Sequence, residues 1–420
     1  RKMREMKDSG IEWIGEIPCD WKLERSQWHL EEVNISNNPI QTNNVLSLTN
    51  KLGVVPYEEK GNQGNKSKEN VYEYKLAYPN TIVANSMNIL IGSVGLCDYF
   101  GCVSPVYYVF RAKKYNNIKF LNYVFQTVGF QRELRKYANG ILEIRLRVSS
   151  SDILKRFIPF PSEIEQQKIA DFLDRECGKI DGLKADIQAQ IDTLEQYKRS
   201  VITEAVTHGL NLSTPMKDSG VDYIDKIKGD WRITKIGFVC SKLTRGFSVE
   251  DPALICSNNG SVMLRDEEKA CGKMVSEDNA MQGIHIGDIA IHGMDTWHGA
   301  IGFSKIKGKI TRVVHVCDST EDKRFIVYYL KSLAYQNVYK LISNGVRGNT
   351  SDFRSWDKVK DIYICLPATK KEENEICDYL DAQCENIDMI IADKKSQIET
   401  LDGYKKSLIY EYVTGKKEVV

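Results

Sequence analysis

Two long stretches of the chain carry apolar residues at a seven-residue spacing. The repeated positions are Leu173, Ile180, Ile187, Leu194 and Val201 in the first stretch and Leu380, Ile387, Leu401 and Leu408 in the second. Sustained heptads without proline predict helices that pair along an apolar seam. Lys394 interrupts the second series, either as a rim position whose stem lies along the seam or as a polar residue that sets the register.

The first predicted helix has a recognisable start and end. Ser162 precedes Glu163 and Glu165, which suits a helix N-terminus, and His208-Gly209 supplies a stop. About 45 helical residues would span roughly 65–70 Å. Because neither helix buries its apolar stripe alone, we predict that the two pack on each other as an antiparallel coiled coil.

The region before each helix has a different pattern, and we call it a head. In the first head, residues 80–90 and 107–110 resemble short strands bounded by Gly, Pro and Asn, whereas residues 120–137 have helical spacing. The pattern predicts a mixed α/β domain.

The chain repeats itself. Residues 6–14 (MKDSGIEWI) return as residues 216–224 (MKDSGVDYI), and Trp21 returns as Trp231. Further on, residues 172–174 match 379–381 at a similar offset. Ordered matches along the whole chain indicate one domain-sized unit of about 207 residues, duplicated, rather than a solenoid of shorter repeats.

These patterns predict an α+β fold with two mixed α/β domains in tandem, separated by two long α-helices, and an internal pseudo-two-fold repeat. The predicted segments are residues 1–160 for the first head (with the repeated motif at 6–22), 161–210 for the first helix, 211–366 for the second head (with the motif at 216–232) and 367–420 for the second helix.

Composition narrows the function. Lys plus Arg is 58 and Asp plus Glu is 57, so a strongly basic nucleic-acid binder is excluded, although a local basic face is not. We find neither an apolar run long enough for a membrane span nor a signal-peptide core. The 11 cysteines lack regular spacing, which favours reduced thiols and a cytoplasmic location.

Motifs of catalysis are missing from the sequence. Residues 92–95 (GSVG) lack the Lys and Ser/Thr of a phosphate-binding loop, and residues 37–40 (NNPI) match an amino-methyltransferase motif only superficially. His285, His292 and His298 do not have the spacing of a zinc protease, so surface or hydrogen-bonding roles suit them better. We predict no catalytic residue and no metal site.

Three segments carry a resemblance to a known family: residues 6–21 and their copy at 216, residues 158–174, and residues 194–207. The chain resembles the specificity subunit of type I restriction-modification systems. The second copy departs from the family pattern at residues 371–375 (KEENE), which replace the Glu-Gln-Gln stretch of the first helix start.

The resemblance implies a non-catalytic protein of host defence against foreign DNA. Each head would be a target recognition domain that binds one half of a bipartite, asymmetric site in double-stranded DNA. The helices would set the spacing and dock two modification subunits, which carry S-adenosylmethionine and methylate adenine. Restriction subunits, the ATP- and Mg-dependent motor nucleases, would join them. The chain itself would hold no cofactor and contact no membrane.

Candidate DNA contacts come from polar turns rich in Lys, Arg and Asn, the residue types that bind phosphates and base edges. In the first head they are Lys60, Lys66, Lys68, Asn139, Arg145 and Arg147. In the second head they are Lys242, Arg245, Arg265, Asn344, Arg347, Asn349 and Arg354.

Two other functions remain open from the sequence. A coiled-coil scaffold without DNA binding accounts for the helices but not for two divergent heads, and a gel shift with specific and random DNA separates it from a DNA binder. A self-contained DNA methyltransferase or nuclease requires motifs that are missing, and methyl transfer by the purified chain alone would support it.

Overall fold

The computed structural model describes residues 4–49, 53–60, 70–113, 116–140, 146–211, 213–265, 280–343 and 352–419. The chain divides into two compact units. Unit 1 comprises residues 1–187 and 395–420, and unit 2 comprises residues 188–394. Because the borders fall inside the two long helices, each unit contains one head and one half of each helix.

Unit 1 contains the first head. Its strands are β1 (Met6–Asp8), β2 (Glu16–Pro18), β3 (Lys22–Arg25), β4 (Leu30–Glu32), β5 (Leu46–Thr49), β6 (Gly53–Pro56), β7 (Lys75–Ala77), β8 (Thr81–Asn85), β9 (Val94–Cys97), β10 (Gly101–Val103), β11 (Tyr107–Ala112) and β12 (Phe157–Phe160). Its helices are α1 (Ile118–Gln126), α2 (Val128–Arg135) and α3 (Ser150–Leu154), followed by the long helix α4 (Glu163–His208).

Unit 2 contains the second head. Its strands are β13 (Met216–Val221), β14 (Ile224–Lys228), β15 (Arg232–Lys235), β16 (Cys240–Lys242), β17 (Ala253–Cys256), β18 (Val262–Leu264), β19 (Met281–Ile284), β20 (Ile289–His292), β21 (Ile301–Phe303), β22 (Gly308–Thr311), β23 (Val314–Ser319) and β24 (Tyr363–Leu366). Its helices are α5 (Ile236–Val239), α6 (Lys323–Tyr335), α7 (Val338–Ile342) and α8 (Trp356–Lys360), followed by the long helix α9 (Lys370–Val413).

Each head contains its own central antiparallel sheet of four strands, and the two sheets have the same strand order. The strands are ordered β4-β11-β8-β9 in the first head and β16-β23-β20-β21 in the second. Strand β8 is buried at every position, and the apolar face of α1 contributes Phe120, Val124 and Phe125 to the same core. The second head has a further four-stranded sheet, β18-β17-β22-β19, in which β17 and β22 run parallel.

A two-stranded antiparallel sheet forms the root of each head. Strand β3 pairs with β12, and β15 pairs with β24. The second strand of each pair leads directly into a long helix, at Glu163 and Lys370. The root therefore connects the central sheet of each head to the helix that follows it.

The two long helices pack antiparallel, as predicted. In unit 1, Lys405 of α9 binds Asp181 of α4 at 2.6 Å. In unit 2, Lys198 of α4 binds Asp388 of α9 at 2.6 Å. The two ion pairs are equivalent, since Asp181 corresponds to Asp388 and Lys405 to Lys198. The aspartate comes from α4 in unit 1 and from α9 in unit 2.

Most of the predicted seam is buried. The buried members are Leu173, Ile180, Val201, Leu380, Ile387 and Leu408, and the half-buried ones are Ile187, Leu194 and Leu401. Lys394 is half-buried, and its ammonium donates to the side-chain oxygen of Gln190 at 2.5 Å. The predicted mixed α+β fold with two packed long helices is confirmed, whereas the predicted segment boundaries stay a prediction.

Two further features bear on the sequence-based expectations. No helix in the described ranges is long and apolar enough to cross a membrane. The cysteines of the described part are free thiols, and all except Cys19 are buried. Burial raises the pKa of the Cys177 thiol on α4 to about 11, which keeps it protonated.

Candidate nucleic-acid interface

A buried tryptophan joins each head to both long helices. In unit 1, the indole N–H of Trp21 donates to Glu165 near the start of α4 at 2.9 Å, and Gly415 beyond the end of α9 lies against the same ring. A side chain on Gly415 would clash with Pro18, so the close approach requires glycine. Trp21 thus fixes the head against the beginning of one helix and the end of the other.

Unit 2 repeats this joint with equivalent residues. Trp231 is 1% exposed, and its indole N–H donates to Glu372 near the start of α9 at 3.3 Å. Gly209, beyond the end of α4, lies against the ring of Trp231. Lys228 forms an ion pair with Glu372 at 2.6 Å, as Arg4 does with Glu165 in unit 1.

A second polar contact repeats about two and a half helical turns further along each long helix. In unit 1, the Tyr123 hydroxyl donates to Asp174 at 2.8 Å, and Lys119 binds the same carboxylate at 2.7 Å. In unit 2, the Tyr328 hydroxyl donates to Asp381 at 2.7 Å, and Arg324 binds it at 2.8 Å. Burial and these carboxylates raise the pKa of both tyrosines.

The N-termini of α1 and α6 are each hydrogen-bonded to the long helix that follows in the same unit. The amide N–H of Asn117, the N-cap of α1, donates to the buried side chain of Gln166 at 3.0 Å. The amide N–H of Asp322, the N-cap of α6, donates to the buried Glu373 at 3.0 Å. Burial raises the pKa of Glu373. The departure at residues 371–375 therefore leaves the joint intact, since a carboxylate replaces an amide as the acceptor.

A backbone hydrogen bond anchors the chain at the end of one equivalent strand in each central sheet. After β8, the carbonyl of Ser86 accepts the amide N–H of Val148 at 3.0 Å. After β20, the carbonyl of Gly293 accepts the amide N–H of Phe353 at 3.0 Å. Val148 stands next to Arg147 and Phe353 next to Arg354, two residues that we predicted to bind DNA. The backbone beside both predicted contacts is therefore anchored at the same position of the central sheet.

Gly293 tests this anchor, because a methyl group there would lie 2.6 Å from the Phe353 carbonyl oxygen and 3.0 Å from that of Val313. We expect Gly293→Ala to lower the free energy of unfolding by about 1–3 kcal/mol, since backbone on both sides must move. Gly246→Ala is the control, because its methyl group would meet nothing within 4 Å. Equal effects of the two variants in urea unfolding would contradict the role of Gly293.

A polar side chain closes the turn that follows each central strand. Asn85 accepts the amide N–H groups of Met87 and Asn88 through its side-chain oxygen. In the second head, His292 does the same through Nδ1 for Met294 and Asp295. Burial lowers the pKa of His292, so the ring is neutral and can accept. The interpretation of His292 as a hydrogen-bonding residue agrees with this geometry.

In the first head, two predicted DNA contacts lie together on the surface. Asn139 and Arg147 are exposed and exchange two backbone hydrogen bonds, of 2.8 and 2.9 Å. This bridge lies next to the Ser86 anchor in the chain, since Val148 follows Arg147. Lys60, in contrast, is buried with its ammonium 4.2 Å from the centre of the Tyr57 ring, so it does not present its charge to DNA. Lys66, Lys68 and Arg145 lie outside the described residues.

In the second head, the residues that we predicted to bind DNA differ in their exposure and in their ion pairs. Lys242 is exposed at the end of β16, and Arg354 is exposed just after the loop anchor at Phe353. Arg245 instead binds the buried Asp288 through two nitrogens, at 2.7 and 2.9 Å, and so stabilises the head. Arg265 is half-buried. Asn344, Arg347 and Asn349 lie outside the described residues.

Sequence reasoning missed a basic turn in the second head. Lys305 and Lys307 are exposed on the connection between β21 and β22. Ser304, at the start of this connection, is anchored by a 2.9 Å hydrogen bond from its amide N–H to the carbonyl of Asp288. The signal was the alternation of lysine in residues 304–309 (SKIKGK), which places successive ammonium groups along one turn.

The exposed polar groups of the two heads suit contact with nucleic acid. Exposed amide and guanidinium groups can bind phosphates and base edges. Within the described ranges, no group of three or more His, Cys, Asp or Glu residues is placed to hold a metal ion.

Comparison with known proteins agrees with this picture. Residues 29–193 match the family model of the type I restriction modification DNA specificity domain. No curated protein sequence matches the chain. A solved structure concerned with complex assembly and conformational transition of the type I R-M system is 12% identical over 96% of this chain and 99% of that chain, with a TM-score of 0.66.

A second solved structure is the HsdS subunit from Thermoanaerobacter tengcongensis, which is 12% identical over 96% of this chain and 98% of that chain. Its TM-score of 0.46 is too low to support an argument. At 12% identity the first structure shows the fold alone, and the family model supplies the assignment. The resemblance seen in the sequence is therefore confirmed: this chain contains a type I restriction-modification DNA specificity domain.

Proposed function

We propose that this chain is the DNA-specificity subunit of a type I restriction-modification complex. Each head binds one half of a bipartite, asymmetric site in double-stranded DNA. The two long helices set the spacing between the half-sites and dock two methyltransferase subunits. The chain supplies recognition and no catalysis, and adenine methylation takes place on the partner subunits.

The proposal rests on one observation: the contacts between head and long helices repeat in both units, whereas the loop sequences of the two heads differ. The contacts of Trp21 with Glu165 and of Trp231 with Glu372 keep the same form in both units. The loops held by the Ser86 and Gly293 anchors differ in sequence. A constant frame that presents two different polar loops suits a protein that reads two different DNA segments.

Exposed apolar residues on the long helices support a docking role. In unit 1, Leu183 is 53% exposed and Tyr404 is 56% exposed. The equivalent residues in unit 2 are Ile390, 39% exposed, and Tyr197, 54% exposed. A pair of equivalent apolar surfaces fits a partner that is present in two copies.

Arg147 provides the test of DNA recognition. We expect Arg147→Ala, in complex with the cognate methyltransferase subunit, to weaken protection of one half-site by about 5- to 150-fold, since a lost base or phosphate contact costs about 1–3 kcal/mol. Footprinting at a stated salt concentration measures this, after the motif has been found by mapping methylated adenine in a host that carries both proteins.

Arg111→Ala is the matched control, because Arg111 is an exposed arginine of the same head that binds Glu31 at 2.6 Å. A footprint that is continuous rather than split into two halves would contradict the bipartite site. Binding of random and specific DNA with equal affinity would favour a scaffold without sequence recognition.

A further inference from the structure

Each head exposes an aromatic ring at the same position. Trp28 is 54% exposed in the first head and Phe238 is 81% exposed in the second. They are separated by the same offset as Trp21 and Trp231, the buried tryptophans of the joints. Both rings therefore belong to the duplicated frame and not to the divergent loops. Single exposed rings are common on protein surfaces, but an exposed ring at the same position of both copies suits contact with a partner.

Each ring lies on a short helix that is held by an equivalent backbone hydrogen bond. Trp28 ends a short 3-10 helix that begins at Ser26, and Phe238 lies in α5. The amide N–H of Ser26 donates to the Arg156 carbonyl at 2.9 Å, and that of Ile236 donates to the Ile362 carbonyl at 2.9 Å. The short helix is thus fixed to the root sheet of each head, which leads into the long helix.

Directly before each short helix stands a cation that lies over an aromatic ring of the root sheet. The guanidinium of Arg25 lies 5.2 Å from the centre of the Phe157 ring. The ammonium of Lys235 lies 5.2 Å from the centre of the Tyr363 ring. We call these groups the aromatic clusters: Arg25, Trp28 and Phe157 in unit 1, and Lys235, Phe238 and Tyr363 in unit 2.

The residues beside the exposed rings have changed between the copies. Gln27 stands where the second head has Gly237, and His29 stands where it has Val239. The ring and the cation remain. A feature common to two heads that are proposed to read different DNA segments cannot discriminate between those segments. It suits a molecule that both heads bind alike.

Charge favours a protein over DNA as that molecule. In unit 2, Lys235 binds Asp361 at 2.9 Å, and the neighbouring Lys360 binds Asp357 at 2.6 Å. Because these carboxylates neutralise both lysines, neither lysine is available to a phosphate backbone. The feature that both clusters share and leave uncovered is the exposed ring, so the complementary surface is an apolar pocket for that ring.

We infer that the two aromatic clusters are equivalent docking sites for two copies of one protein partner, the methyltransferase subunit. The inference rests on the proposed function and extends the docking surface from the long helices onto the roots of the heads. Each bound subunit would then contact a head beside its loop anchor, because α3 and α8 connect the anchors to the roots.

The test uses the full chain and the cognate methyltransferase subunit in calorimetric titration. We expect two subunits to bind the unaltered chain. Trp28→Ala or Phe238→Ala should weaken one of the two binding events by about tenfold or more, as truncation of an anchor residue does, and the double variant should weaken both. Ile91→Ala and Leu341→Ala are controls of 65% and 77% exposure, one in each head, and should change binding less than twofold.

Three results would overturn the inference, and they differ from one another. Binding of two subunits to the double variant within twofold of the unaltered chain would remove the clusters from the interface. Loss of DNA protection with subunit binding unchanged would assign the clusters to DNA. Failure of the unaltered chain to bind any subunit would instead contradict the proposed function, and the inference with it.

Discussion

Replacing Trp21 with alanine is expected to lower the free energy of unfolding of unit 1 by about 3–5 kcal/mol. The ring is 1% exposed and belongs to the same core as Leu30, Phe120 and Leu173. The replacement leaves a cavity between the head, the start of α4 and the end of α9, and it also removes the indole hydrogen bond to Glu165. Calorimetry of the full chain measures the effect as a lower transition temperature.

Trp28→Ala is the matched control, because Trp28 lies in the same head and is 54% exposed. We expect it to change the free energy of unfolding by less than about 0.5 kcal/mol. Trp231→Ala should reproduce the effect of Trp21→Ala in unit 2. Similar, small effects of Trp21→Ala and Trp28→Ala would mean that the joint does not stabilise the head.

The second large effect is expected from Arg324→Met in unit 2. The guanidinium binds Asp322 at 2.9 Å and both Asp378 and Asp381 at 2.8 Å. Its removal leaves three carboxylates without their common cation. Because Arg324 is partly exposed, water moderates the loss, and we expect about 1–3 kcal/mol at pH 7.

The loss should depend on pH in a defined direction. Burial disfavours the charged form of Asp322, but hydrogen bonds from Arg324 outweigh it and lower the pKa from its ordinary value of 3.8. A carboxylate with a lowered pKa contributes stability that is present above its unfolded pKa and is lost as the pH falls through its folded pKa. The difference between the unaltered chain and Arg324→Met should therefore shrink below about pH 4.

Urea unfolding at pH 7 and at pH 3 measures the two differences. Lys371→Met is the control, since Lys371 stands in the first turn of α9 with its side chain 86% exposed. It should have little effect at either pH. If the destabilisation caused by Arg324→Met is the same at pH 7 and at pH 3, the interaction of Arg324 with Asp322 does not contribute to it.

Much of the scaffold could be predicted because its signals are periodic. The heptads predicted both long helices, and the repeated Met-Lys-Asp-Ser-Gly segment predicted equivalent heads. Pairing at the root was beyond prediction. Leu23 of β3 lies opposite Pro159 of β12, and no local pattern links two short strands so far apart in sequence.

The candidate site was harder to predict for a similar reason. Lys60 and Arg245 come from polar turns, which favours exposure, yet their partners are set by tertiary structure. Asp288, which binds Arg245, lies 43 residues further along the chain. The exposed Trp28 and Phe238 were likewise missed, because a sequence does not tell a buried ring from an exposed one without the frame around it.

The division of the chain into units has a consequence for its synthesis. Unit 2 is one continuous segment, residues 188–394, whereas unit 1 is interrupted by it and ends with residues 395–420. At about 5–20 residues per second, a ribosome takes roughly 10–40 s to make the intervening segment. During that time the apolar surface around Trp21 is not yet covered by Leu408 and Val413. The first head of the nascent chain is therefore the part that is exposed to chaperones and proteases.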